Sequence, residues 1–148
     1  KENLAQISKI FESLDRKTIF PVHPRTRKYL NEYQLWKKLE EIRNLVLIEP
    51  VGYLDMLILE QNAKVILTDS GGVQREAYFL KTPCLILREE TEWTDILKTN
   101  GYQTTSLKIS EVRKNLEKLN KIKSVGSVSS TYSYQTSNRI IKILNRLN

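Results

Sequence analysis

Asp69, Ser70, Gly71 and Gly72 stand between an apolar run at residues 65–68 and a stretch with helical periodicity, and their types and spacing offer phosphate chemistry. The two glycines let the backbone turn sharply and approach a ligand with no Cβ in the way. A helix starting here would aim its first free N–H groups and the positive end of its dipole at the end of the strand, which suits a phosphate or diphosphate. Ser70 adds a hydroxyl. Glu76, one turn on, is placed to accept hydrogen bonds from paired hydroxyls such as those of a ribose. The same residues also fit an ordinary tight turn in which Asp69 or Ser70 caps the helix, and the motif alone leaves both readings open.

The elements that must position this turn follow from hydrophobic periodicity. Short runs rich in Ile, Val and Leu at 18–22, 45–48, 65–68 and 84–87 predict strands, each followed by a turn signal. Between them, helical patterns cover 27–43, 53–62 and 72–80, and Leu4, Ile7, Ile10, Phe11 and Leu14 give a stripe before the first strand. This βαβα alternation implies parallel strands joined by right-handed crossovers, hence an α/β fold with a Rossmann-like, doubly wound parallel sheet. Such sheets bind ligands beyond the C-terminal ends of their strands, which directs attention to residues 23–26, 49–53, 69–74 and 88–95. A further helix is expected from 110 to about 121. Residues 1–123 therefore read as one domain, 124–135 as a Ser-rich loop, and 136–148 as a terminal helix striped by Ile140, Ile141, Ile143, Leu144 and Leu147.

With 148 residues, 40% apolar and 28% charged, the composition is that of a soluble globular domain. No run is long and apolar enough for a membrane helix, and residues 1–14 lack a signal-peptide core, so the expected location is cytoplasmic, with no membrane partner. The single cysteine, Cys84, lies in an apolar run and has no partners in metal-site spacing; the expectation is a buried strand thiol and no metal. The net charge of +7 is concentrated in residues 101–148, which hold nine basic residues against two acidic ones, chiefly Lys114, Lys118, Lys121 and Lys123 on one helix and its exit. Basic residues without interleaved aromatics read as a solvated face, not as a nucleic-acid surface.

Four motifs together resemble one family. Phe20-Pro21-Val22-His23-Pro24-Arg25-Thr26-Arg27, Glu49-Pro50-Val51-Gly52-Tyr53-Leu54, Leu67-Thr68-Asp69-Ser70-Gly71-Gly72-Val73-Gln74 and Leu87-Arg88-Glu89-Glu90-Thr91-Glu92-Trp93 resemble, in order and spacing, the non-hydrolysing UDP-N-acetylglucosamine 2-epimerases. The resemblance implies the C-terminal, UDP-binding half of a GT-B-like two-domain fold. It implies that Ser70, Gly71 and Gly72 hold the diphosphate, Glu76 the ribose hydroxyls, and the Tyr53 to Met56 region the uracil. His23 and Arg25 after the first strand, and Arg88 after the fourth, lie where an imidazole or a cation reaches a phosphate oxygen; loop packing is the alternative for His23.

The reaction so implied is an isomerisation without a cofactor, in which removal of the C2 proton expels UDP and UDP then adds back, taking UDP-N-acetylglucosamine to UDP-N-acetylmannosamine. No catalytic residue is assigned to this chain, because the family's catalytic histidine segment would fall just upstream of Lys1. The chain alone is expected to bind UDP weakly or not at all and not to epimerise. The 136–148 helix would pack toward the absent N-terminal domain. The family also implies a homodimer and a role in polysaccharide biosynthesis. Three departures stand out: Gln74-Arg75-Glu76 keeps only the second of two acidic residues, Trp93-Thr94 replaces Arg-Pro, and Tyr132-Ser133-Tyr134 replaces Gly-Asp-Gly, while Ser137 and Arg139 fit. A related UDP-sugar 2-epimerase or a GT-B glycosyltransferase domain is the alternative, and a basic nucleic-acid-binding module a lesser one.

Overall fold

A computed structural model describes residues 2–126, in the order α1 (Glu2–Ser13), β1 (Thr18–Pro21), α2 (Pro24–Glu32), α3 (Trp36–Glu40), β2 (Leu45–Ile48), α4 (Tyr53–Asn62), β3 (Ile66–Thr68), α5 (Gly71–Leu80), β4 (Cys84–Ile86), β5 (Tyr102–Thr104) and α6 (Ile109–Asn120). A single 3-10 turn, Ile96–Lys98, precedes β5. All strand pairing among the described residues is parallel, as the βαβ alternation requires. The fold is α/β.

β4 organises the larger sheet, in the order β3-β4-β5. Its three residues are fully buried, and the period-2 pleat sends them to opposite faces. Cys84 and Ile86 pack with Ile66, Ala77, Tyr78, Ile96 and Tyr102, toward α5. Leu85 packs with Ile10, Val112 and Leu119, toward α1 and α6. Helices therefore cover both faces of this sheet. β1 pairs with β2 from Thr18 opposite Leu45 to Pro21 opposite Ile48, and a separate core of Phe11, Val22, Leu30, Leu35, Leu39 and Leu45 supports them. Adjacent residues of α1, Ile10 and Phe11, enter different cores, so this helix straddles the two sheets.

Three expectations need correction. The strands form two parallel sheets among the described residues, not one; a cleft of about 910 Å³ with largely apolar walls separates β1 from β3. The helix expected over 27–43 is two helices. Gln34 takes a left-handed φ of 58°, Leu35 N–H bonds Leu30 C=O at 2.8 Å and Gln34 N–H bonds Asn31 C=O at 3.0 Å, which is a Schellman stop. β5 was not foreseen, because Tyr102-Gln103-Thr104 has no aliphatic run; it is held by pairing with β4 and by the buried Tyr102 hydroxyl, which donates to Ala77 C=O at 2.9 Å.

The start of the Ser-rich segment is tied down: Val125 is buried, and Gly126 N–H donates to the Asn100 side chain. Residues 127–148, including the terminal apolar stripe, Tyr132, Ser133, Tyr134, Ser137 and Arg139, lie outside the described residues. Lys114, Lys118, Lys121 and Lys123 are exposed, opposite the inward Val112 and Leu119 of α6. Among the described residues no helix is long and apolar enough to cross a membrane.

α5 ends on the same motif as α2, with Lys81 at φ 58° and Thr82 N–H bonded to Ala77 C=O at 3.0 Å. A left-handed lysine is strained by its Cβ, so Lys81→Gly should raise stability by up to about 1 kcal/mol and Lys81→Val lower it by about as much. Urea midpoints of the three chains check both signs.

Candidate functional site

α5 begins at the C-terminal end of β3. Ser70 occupies its N-cap position with extended backbone, φ −81° and ψ 124°, but its hydroxyl does not cap the helix; the Ser70 N–H instead donates to Thr68 Oγ1 at 3.0 Å. The first helical bond is Gln74 N–H to Ser70 C=O, so the amides of the first turn are left for another acceptor. The capping alternative therefore does not hold for Ser70.

The glycines act differently from the expectation that they make a sharp turn. No glycine among the described residues has positive φ, and Gly71 and Gly72 are the first two residues of a regular helix. What matters is missing bulk. A Cβ on Gly71 would meet the Glu92 carboxylate and come within 3.2 Å of Trp93 Nε1, whereas at Gly72 its nearest neighbour would be Ser70 Oγ at 3.7 Å. Gly72 is exposed, and the folded chain itself makes no demand there.

The segment after β4 folds over this helix start. Thr91 Oγ1 donates to Gln74 Oε1 at 2.6 Å and accepts from Trp93 N–H, fastening the loop to a glutamine that is fully buried. Arg75 stacks on Trp93 at 4.4 Å. Arg88 is paired with Glu92 at 3.4 Å, and Glu92 approaches Gly71, so Arg88 and the helix start are brought to one place with a carboxylate between them. An anion near the positive end of α5 is electrostatically favoured. Both partners of this pair are about half exposed, so it costs little to open.

The other predicted residues lie at the neighbouring strand ends. His23 caps α2, its Nδ1 accepting from Arg25 N–H at 3.2 Å, which leaves Nε2 as the outward donor. Arg25 is exposed. Tyr53 opens α4 and is 65% exposed, whereas Met56, one turn later, is half-buried and lines the cleft between the sheets. Met56 is the predicted residue that faces the cleft; Ser70, Gly71, Gly72, Glu76, Tyr53, His23, Arg25 and Arg88 are not in its walls, although Thr26, Thr68 and Asp69 bring the cleft up to the polar strand ends.

Glu60 was not foreseen. It lies on α4, is 2% exposed, and neither carboxylate oxygen meets a hydrogen-bond partner among the described residues. Burial, then the charge and close approach of the Glu76 carboxyl on α5, push its pKa up to about 7. Its signal was in the sequence: Glu60 follows Met56 and Leu57 at i+4 and i+3, an acid on the inward stripe. Cys84 is buried as expected, its thiol pushed up to about 12 by burial and then by Glu60. Among the described residues no group of three or more His, Cys, Asp and Glu side chains could hold a metal ion.

Comparison with known proteins decides the family. Residues 1–145 match the family described as UDP-N-acetylglucosamine 2-epimerase. The chain belongs to that family. A Methanococcus maripaludis protein named UDP-N-acetylglucosamine 2-epimerase homolog is 46% identical over 99% of this chain and 41% of its own length. The Methanocaldococcus jannaschii UDP-GlcNAc 2-epimerase, solved in complex with UDP-GlcNAc and UDP, superposes with a TM-score of 0.84 at 39% identity over 98% of this chain and 40% of that one. A Pseudomonas aeruginosa UDP-2,3-diacetamido-2,3-dideoxy-D-glucuronate 2-epimerase is 46% identical over 53% of this chain and 21% of its own length. The chain thus spans about two-fifths of the first two relatives and matches one domain of a GT-B-like epimerase.

Two outcomes follow from this geometry. Gly72→Ala should leave the fold intact and its stability unchanged or up to about 1 kcal/mol higher, because the site is open and Ala favours helix; chemical denaturation reads this. Glu60 holds its proton more tightly folded than unfolded, so stability should fall as pH rises from about 4.5 to about 7 and level off above, by an amount on the order of 3 kcal/mol. Glu60→Gln should remove that decline in a pH series of urea titrations.

Proposed function

We propose that this chain is the nucleotide-binding part of a UDP-N-acetylglucosamine 2-epimerase, an isomerase that interconverts UDP-N-acetylglucosamine and UDP-N-acetylmannosamine by eliminating UDP and adding it back. The observation that carries the reading is the uncapped first turn of α5 at the C-terminal end of β3, with Gly72 open to an approaching ligand. In this reading the amides of Gly71 and Gly72 and the Ser70 hydroxyl hold the diphosphate. Glu76 takes the ribose hydroxyls, and Tyr53 and Met56 flank the uracil. Arg88, released from Glu92, joins Arg25 and the outward nitrogen of His23 around the phosphates.

The chemical role of such a domain is to hold a leaving group. As the glycosidic C–O bond breaks, negative charge grows on the diphosphate, and N–H groups already oriented at a helix start stabilise it without reorganising. The C2 proton must pass to and from bases on the sugar's other side. Those groups belong to the remaining three-fifths of a full-length enzyme, which also implies a partner domain and, by family, a homodimer working in the cytoplasm.

A second reading keeps the same nucleotide site with a different sugar, favoured by the identity to the Pseudomonas aeruginosa enzyme named for a diacetamido glucuronate. The nucleotide half is common to both.

Titration of the isotopically labelled chain with UDP, followed by NMR, tests the assignment. Shifts should centre on Ser70, Gly71, Gly72 and Glu76, with a weak apparent Kd on the order of 1 mM. Ser70→Ala should weaken it by about threefold and Gly72→Ala by more than about tenfold. The 148-residue chain should show no epimerisation of UDP-N-acetylglucosamine; measurable turnover would refute the division of labour.

A further inference from the structure

A buried acid with no donor to satisfy it is costly, and α4 carries one against the helix that starts at the phosphate turn. α4 and α5 pack side by side, and the Glu76 carboxyl on α5 comes within hydrogen-bonding reach of Glu60. Two ionised carboxylates are both acceptors, so no hydrogen bond joins them; one proton between them supplies the missing donor. β4 presents the Cys84 thiol, and Lys64, Arg113 and Glu117, which share the cleft wall with Glu60, are exposed.

We propose that Glu60 is a positioning residue: its carboxyl holds one proton against Glu76 and so fixes one Glu76 oxygen inward, leaving the other aimed outward for the vicinal hydroxyls of the nucleoside. The proposal rests on the nucleotide reading above, which gives Glu76 the ribose. Glu60 touches no ligand itself. It acts through the orientation and charge of Glu76. With the proton present, Glu76 stays ionised and held; with it gone, the two charges repel and the outward oxygen loses its aim.

The inference also explains why a glutamate can occupy an inward position of α4 beside Met56, Leu57 and Leu59. The two acids form a unit, and removing the proton has the effect of removing a hydrogen bond from the site.

The test is UDP titration by NMR of the wild-type chain, Glu60→Gln and Glu60→Met, near pH 6 and near pH 8.5. Comparison with wild type at each pH cancels the titration of UDP itself. Glu60→Gln, whose amide always donates, should match wild type near pH 6 and bind about fivefold more tightly near pH 8.5. Glu60→Met, which has no donor, should bind more weakly than Glu60→Gln at both. An infrared carboxylic-acid band should be present in wild type near pH 6 and absent from Glu60→Gln. A Gln to wild-type ratio that does not change with pH, Met equal to Gln, or no acid band near pH 6 overturns the role of Glu60 and leaves UDP at the turn. Absence of UDP-induced shifts at Ser70 to Gly72 in every variant overturns the nucleotide reading and the role of Glu60 with it.

Discussion

The burial of Cys84, Leu85 and Ile86 on both faces is the constraint on which the rest of this structure depends. A strand with no exposed residue must be central and must have helices above and below it, and parallel pairing to β3 and β5 brings the ends of all three strands to one edge. The Thr68 to Ser70 corner and the Arg88 segment come from adjacent strands of that sheet. Their proximity is thus a consequence of β4 packing, and the Gln74–Thr91 bond secures it from the helix side.

Polarity increases along the chain path from that core to that edge. At the sheet's middle lie aliphatic side chains, the buried rings of Tyr78 and Tyr102, and a thiol with a strongly raised pKa. One layer out, between α4 and α5, lies the Glu60–Glu76 pair. At the edge are free amides, a hydroxyl and an exposed ion pair. A diphosphate would meet groups that become progressively less solvated behind it, which strengthens their electrostatic effect compared with the same groups in water. The cost is borne by Glu60, whose burial raises its pKa more than any other cause.

The strand and helix sequence was legible where periodicity was long or runs were aliphatic: the four expected strands, α1, α4, α5 and α6 all lie within a few residues of where the pattern places them. It failed where a backbone conformation or a pairing decided the outcome. The stop at Gln34 is a left-handed turn by a residue with no glycine signal, and β5 is a strand because β4 needs a neighbour, not because Tyr102-Gln103-Thr104 demands it. Residue identities named the polar strand ends well, since those positions are read from turn chemistry. They did not show that Glu92 lies at the helix start, nor that Ser70 leaves the cap unmade, because both depend on side-chain directions across separate segments.

The division into two sheets bears on what one domain can do alone. The cleft between β1 and β3 has largely apolar walls and meets the polar edge at Met56, Thr26, Thr68 and Asp69. A charged diphosphate placed deep against its apolar wall would lose hydration that the aliphatic side chains there do not replace, a cost of several kcal/mol by desolvation alone. The turn at α5 has donors but is open to water on its far side. A ligand held only there keeps much of its solvent, so the helix-start amides act in a high dielectric and their advantage over water is small. If the turn holds UDP as proposed, tight binding and expulsion of UDP would require that open side to be covered, a physical reason for such a domain to work opposite a second one.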